Sequence, residues 1–357
     1  MIALVAYASL YPFSGWRWPA GSGLASLLSL PWPPWLMPLD EGLNFLGYLP
    51  LGLLLALAAL RSGWRMHAAL LLALLLPALV SYVAEVLQHL LPTRHPSLKD
   101  WLMNTLGAAA GAVLASLVHA SGLLQRWQRL RQRWFLPQSA GAVALLALWP
   151  FGMLFPTPVP WGLGQVGNRL RELLQGLLQD VPWTEGAAAL LAPAPVLQPL
   201  SPLAERLTEM LGLLSPMLLA CAVLRPGLPR LVLAAGALLL GFAAMTLSTL
   251  LNFGPAHALA WLTPAATMAA LGASLAALLA ALLPQRLVMA LALVTLTALL
   301  VLVHQAPTDP YFAQTLQAWE LGRWVNFHGL AQWVGWLWPF AAIAWLLVRI
   351  STRERLS

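Results

Sequence analysis

The chain has 357 residues, 60% of them hydrophobic and 9% charged, with 19 Lys and Arg against 12 Asp and Glu for a formal net charge of +7. Soluble domains carry about 25% charged residues, so this composition excludes an ordinary soluble domain and indicates a polytopic membrane protein. The basic excess argues for loop charges beside a bilayer rather than a nucleic-acid partner.

Apolar runs of about 17 to 25 residues cross a bilayer as helices. In chain order they fall near Leu43–Leu60, Ala68–Leu91, Trp101–Val118, Ala140–Phe155, Leu207–Leu224, Leu231–Leu251, Trp261–Leu283, Leu287–Val303 and Leu330–Val348. Met1–Phe13 is the first of ten, although thirteen residues rise only about 20 Å as a helix. It lacks the basic start and small-residue site of a cleavable signal peptide. Cys221 has no cysteine partner, which excludes an intrachain disulfide, and reads as a small buried hydrophobe. The fold class expected is all-α, a transmembrane bundle of about ten helices.

Loop charges then set the orientation. With both termini cytoplasmic, the inner side holds Arg61, Arg65, Arg126, Arg129, Arg131, Arg133, Arg225, Arg230, Arg286, Arg349, Arg353 and Arg355. Arg17, Arg94, Lys99, Arg169, Arg171, Arg206 and Arg323 fall outside, and of the acidic residues only Glu354 is inside.

Three regions follow: residues 1–120, a basic cytoplasmic linker over 121–139, and a second transmembrane region over 140–357 with a large outer loop near 156–206. The linker "LLQRWQRLRQRWFLPQ" suits an interfacial helix beside anionic headgroups. In the Pro-rich outer loop, Leu170, Leu173, Leu174, Leu177 and Leu178 share one face of an amphipathic helix.

Three polar motifs lie at helix ends on the outer side. "DEGLN" puts Asp40 and Asn44 at i, i+4, "EVLQ" puts Glu85 and Gln88 at i, i+3, and "DWLMN" puts Asp100 and Asn104 at i, i+4. "HLLPTRHPSLK" adds Arg94 in a Pro-bounded loop, where it can fold back toward Glu85. Asp40 and Asp100 suit helix N-termini. Asn44, Glu85 and Asn104 lie a turn or more inside the apolar zone, where polar groups are costly and face protein or water. Gly107 and Gly111 form a small-xxx-small pair that lets a neighbouring helix approach closely.

These residues, together with "YLPLG" at Tyr48–Gly52, resemble the VanZ-like family, most strongly from about Asp40 to Leu117. The resemblance implies a multi-pass protein of a bacterial inner (cytoplasmic) membrane and a link to teicoplanin resistance, without naming a reaction. In the second half, Trp324, Asn326 and Gly329 faintly echo Trp101, Asn104 and Gly107. Glu320, Arg323, Asn326 and His328 accompany them among tryptophans, as an aromatic belt does.

Three readings of the constellation stay open. In the first, the cluster of Asp40, Asn44, Glu85, Gln88, Arg94, Asp100 and Asn104 binds an envelope lipid or a lipid-linked or cell-wall ligand. In the second it is an enzyme site, with Glu85 as acid or base, Arg94 holding a phosphate or carboxylate, and Asp100 activating water. In the third the groups only join helices. No P-loop, G-x-S-x-G or HExxH motif supports a particular chemistry. No cofactor is expected. Glu85, His89, His95 and Asp100 are a weak metal grouping, and His89 and His95 read as interfacial.

Overall fold

The computed structural model describes residues 2–10, 13, 15–21, 23–33, 38–178, 199–307 and 328–354; certain side chains within them, including those of Asp40 and His328, are not described. Among these residues the protein is all-helical apart from an isolated bridge between Phe135 and Leu224. Among the described residues eight helices are long and apolar enough to cross a membrane. Each of the ten expected segments is helical, but two are short: α1 (Ile2–Leu10) has 9 residues and α7 (Ala140–Gly152) has 13. At 1.5 Å per residue they rise about 14 and 20 Å, less than the ~30 Å apolar core of a bilayer.

The chain divides into two compact units, Met1–Leu130 and Arg131–Ser357. In the first, α1 and the short α2 (Leu24–Leu28) precede three spans, α3 (Pro38–Arg61), α4 (Met66–Gln88) and α5 (Leu98–Ala120). The α3–α5 seam is the tightest. Gly107 and Gly111 lie against the backbone carbonyls of Phe45 and Leu49, and Gly52 lies against Ala108. Lower down, Ala56, Ala73, Ala112 and Ala115 continue the packing with small side chains from all three spans. The α4 residues Leu71, Leu75, Leu79 and Val83 form an exposed stripe at helical spacing, as a lipid-facing surface requires. The next helix, α6 (Leu123–Trp134), has no buried residue.

In the second unit α7 is followed by α8 (Gly167–Leu178) and by α9 (Pro202–Val223), whose residues from Gly212 to Val223 are all buried. Around α9 pack α7, α10 (Leu228–Phe253), α11 (Pro264–Ala281) and α12 (Gln285–Val303), while α13 (His328–Glu354) packs on α7 and α12. Ala266, Ala270, Ala273 and Ala277 form the buried face of α11. Several ends differ from expectation: α3 and α9 begin earlier, at Pro38 and Pro202, and others fall short. α4 stops at Gln88, before Leu91, and α7 stops at Gly152, before Phe155. Trp261 lies in the turn before α11, which begins only after Thr263 caps it through a side-chain bond to Ala266 N–H. Arg230, read as a loop charge, is fully buried and donates to the carbonyls of Leu224, Ala281 and Leu283, at 3.4, 3.2 and 2.6 Å. A cation there satisfies carbonyls that the ends of α9 and α11 leave unpaired.

Candidate functional site

The polar residues of the first unit gather where α3, α4 and α5 meet the α4–α5 turn. Ser81, Glu85 and Gln88 follow one another at i, i+4 and i+7 along α4 and are all buried. This stripe faces α5 and the end of α1. Asn104 Nδ2 donates to Ser81 Oγ at 3.0 Å. Glu85 Oε2 accepts from the backbone N–H of Ser97 at 2.9 Å, fastening the turn to the end of α4. Ser97 in turn caps α5, its hydroxyl accepting from Asp100 N–H at 3.2 Å. Glu85 is 4% exposed, and Arg94 and Asp100 are near enough to act on its charge.

Two donors reach back to α1. Gln88 Nε2 donates to the Ser9 carbonyl at 3.1 Å, and Arg94 Nη2 to the Ala8 carbonyl at 3.1 Å. These are carbonyls of the last turn of α1, which the helix leaves unpaired. Burial pulls the Arg94 guanidinium below the usual arginine range, and the Glu85 charge pushes it back up.

Beneath this braced rim lie atoms that nothing in the described chain satisfies. The Tyr48 hydroxyl faces Ser81 and Ser9 without closing a hydrogen bond, and Asn104 Oδ1 has no donor. Tyr48 is 5% exposed and Asn104 4%. Buried polar atoms are nearly always paired, so two orphans in one cluster are informative.

Glu85, Gln88, Arg94 and Asn104 thus come together, with Asp100 beside them. Asn44, one turn above Tyr48 on α3, is half-buried. Asp40 lies in the first turn of α3, and its side chain is outside the described set. The region of Glu320, Arg323 and Asn326 also falls outside the described residues. Among the described residues no three His, Cys, Asp or Glu side chains converge as metal ligands.

Sequence reading missed Tyr48, Ser81 and the ion pair between Lys99 and Glu41, which ties the start of α5 to the start of α3. The spacing of Ser81 from Glu85 and Gln88 was the available signal. It also missed Glu209 in the second unit, which is 0% exposed with neither carboxylate oxygen hydrogen-bonded. A cavity of about 20 Å³ in that unit is lined by Thr157, Ser248, Phe253 and Trp261 among others, room for about one water.

Residues 4–119 match the VanZ/LLP1 family model. The first unit is a VanZ-like domain. The match spans α1 to α5 and contains every candidate site residue except Glu209. Comparison with curated proteins and with solved structures returns no match. The chain therefore carries a VanZ-like domain over residues 4–119, and its eight membrane-length apolar helices among the described residues mark a multi-pass membrane protein.

Proposed function

We propose that the VanZ-like domain is a recognition element of the bacterial envelope that binds the headgroup of an envelope lipid or cell-wall component without chemical turnover. The ligand site comprises Asp40, Asn44, Glu85, Gln88, Arg94, Asp100 and Asn104, with Tyr48 added at its floor. The observation that carries this reading is the pair of unpaired buried atoms, Tyr48 Oη and Asn104 Oδ1. A hydroxyl of a sugar headgroup, accepting from the Tyr48 O–H and donating to Asn104 Oδ1, would satisfy both. Occupation of such a ligand links the domain to glycopeptide susceptibility. The expected setting is the outer face of the inner membrane, with both termini cytoplasmic, which the loop charges support.

A second reading has one observation in its favour. Glu85 is a buried carboxylate with Arg94 and Asp100 beside it, the makings of an acid or base acting on a lipid-linked substrate.

Tyr48→Phe separates ligand recognition from bracing. It removes a hydroxyl that lies beside Ser81 and Ser9 without closing a well-formed hydrogen bond, so melting of the purified protein stays within about 0.5 kcal/mol of the parent. Binding of a polyprenyl-phosphate-linked cell-wall precursor in nanodiscs falls about tenfold, the worth of one lost hydrogen bond. Unchanged binding by a stably folded Tyr48→Phe protein refutes the recognition reading. Conversion of the precursor by the parent and not by Glu85→Gln would favour the enzyme.

A further inference from the structure

Apart from Trp134 at its C-terminal end, which packs against the core of the second unit, the helix α6 buries no residue among the described ones, and its ends are held. It starts three residues after α5 ends, through a turn in which Gln125 N–H donates to the Gly122 carbonyl at 3.1 Å. At its other end, Leu136 N–H donates to the Val223 carbonyl at 2.8 Å, and Arg225 N–H donates to the Trp134 carbonyl at 2.9 Å. Val223 is the last residue of a membrane span. A helix fixed to the ends of spans lies where the bilayer meets water.

Its surface is arranged for that position. At 100° per residue Leu123, Trp127 and Leu130 fall on one exposed face, in line with Trp134, which turns into the protein core at the helix end. Leu123 and Trp127 are each 48% exposed. Arg126, Arg129 and Arg133 line one flank and Arg131 the other, and the helix has no acidic residue. Glutamines fill the remaining side. This is the pattern of a helix that sinks an apolar face among acyl chains while arginines reach phosphates at its edges.

We propose that α6 is a lipid-binding helix whose arginines hold the headgroups of anionic phospholipids in the leaflet where its tethered ends lie. The charge pattern commits the site to anionic lipid. An acidic protein or nucleic acid would meet the charges but leave the Leu and Trp face in water, and a second copy of this helix would bring arginine against arginine.

The test uses the full-length protein in vesicles of phosphatidylcholine, with or without phosphatidylglycerol. Trp127→Cys and Gln128→Cys carry a nitroxide, the native Cys221 being buried. With phosphatidylglycerol present, the label at 127 becomes accessible to oxygen and shielded from a water-soluble nickel chelate, while the label at 128 stays aqueous. Retained lipid is then counted after detergent extraction. Arg126→Gln, Arg129→Gln and Arg133→Gln together lower the phosphatidylglycerol-to-phosphatidylcholine ratio at least about tenfold, from roughly fivefold per arginine. The three corresponding Lys substitutions keep the ratio, and they separate lost charge from lost fold. Equal aqueous exposure of both labels with phosphatidylglycerol present overturns the proposal. So does a retained-lipid ratio that the Gln variant leaves unchanged, or binding of DNA in preference to these vesicles.

Discussion

Replacing Glu85 by Ala and by Gln gives the sharpest measure of what the polar rim contributes. The Glu85 carboxylate accepts from the Ser97 N–H at 2.9 Å, and both residues are buried. In Glu85→Ala that N–H loses its acceptor inside a compact turn, where water does not readily replace it. A hydrogen bond is worth about 0.5–1.5 kcal/mol, more to an ionised acceptor, and a stranded donor costs about 1–3 kcal/mol. These overlap, so the expected loss is about 2–4 kcal/mol. Glu85→Gln retains a carbonyl oxygen in the same place and should lose less than about 1.5 kcal/mol. At roughly 2–4 °C per kcal/mol, Ala lowers the melting temperature of the purified protein by about 5–15 °C and Gln by a few degrees. Circular dichroism in detergent reads both. An Ala variant that melts like the parent, or a Gln variant as damaged as Ala, refutes the account of the turn. Because Gln keeps the fold but removes the carboxyl group, loss of ligand binding in Glu85→Gln alone would assign the carboxyl group to recognition.

At the α3–α5 seam, Gly111→Leu drives a side chain into the Leu49 carbonyl; it should cost at least about 3 kcal/mol and be read as lost folded yield in detergent extracts. Reporter fusions should place Arg131, Arg225 and the C-terminal end in the cytoplasm and Thr93, Ala194 and Pro307 outside. External labelling within "QRWQRLRQRW" would sink that orientation. His89→Ala and His95→Ala should leave ligand binding intact, and zinc or manganese bound stoichiometrically and lost in either variant would show the grouping to be a metal site.

The helices were legible because their apolar runs match the thickness of a bilayer, and the glycine seam because Gly107 and Gly111 share a face. Glu85, Gln88 and Asn104 were legible as well, since polar groups inside an apolar run need a reason. Tyr48 was not, because a tyrosine near a helix end reads equally well as an interfacial anchor. Ser81 hid for a different reason: a lone serine in a helix satisfies itself on the preceding turn, and only its register with Glu85 marks it. The Lys99–Glu41 pair joins residues 58 positions apart, a contact set by the packing of α3 on α5. Glu209 sits in the second turn of α9 and resembles an acid near a helix start. Its burial depends on tertiary packing, including the Trp161 backbone that meets α9 at Gly212.

On the proposed reading the polar residues of the VanZ-like domain do two jobs, and their partners tell the jobs apart. Gln88, Arg94 and Glu85 all bond to backbone: two donate to the last carbonyls of α1 and one accepts from the α4–α5 turn. The last described turn of α1 presents carbonyls that lipid cannot satisfy. Arg94 suits that end twice over, as a donor and as a cation at the negative end of a helix. These residues therefore hold α1 against α4, and Val5 of α1 is buried with Tyr48, Leu51 and Ala108 as a result. The braced end of α1 in turn closes one side of the space around Tyr48 and Asn104. Rigid framing of that kind is what a binding site needs if its free polar atoms are to meet a headgroup without first reorganising. On the proposed reading bracing and recognition are consecutive layers of one structure, and a variant of the outer layer will disturb both while Tyr48→Phe should disturb only the inner one.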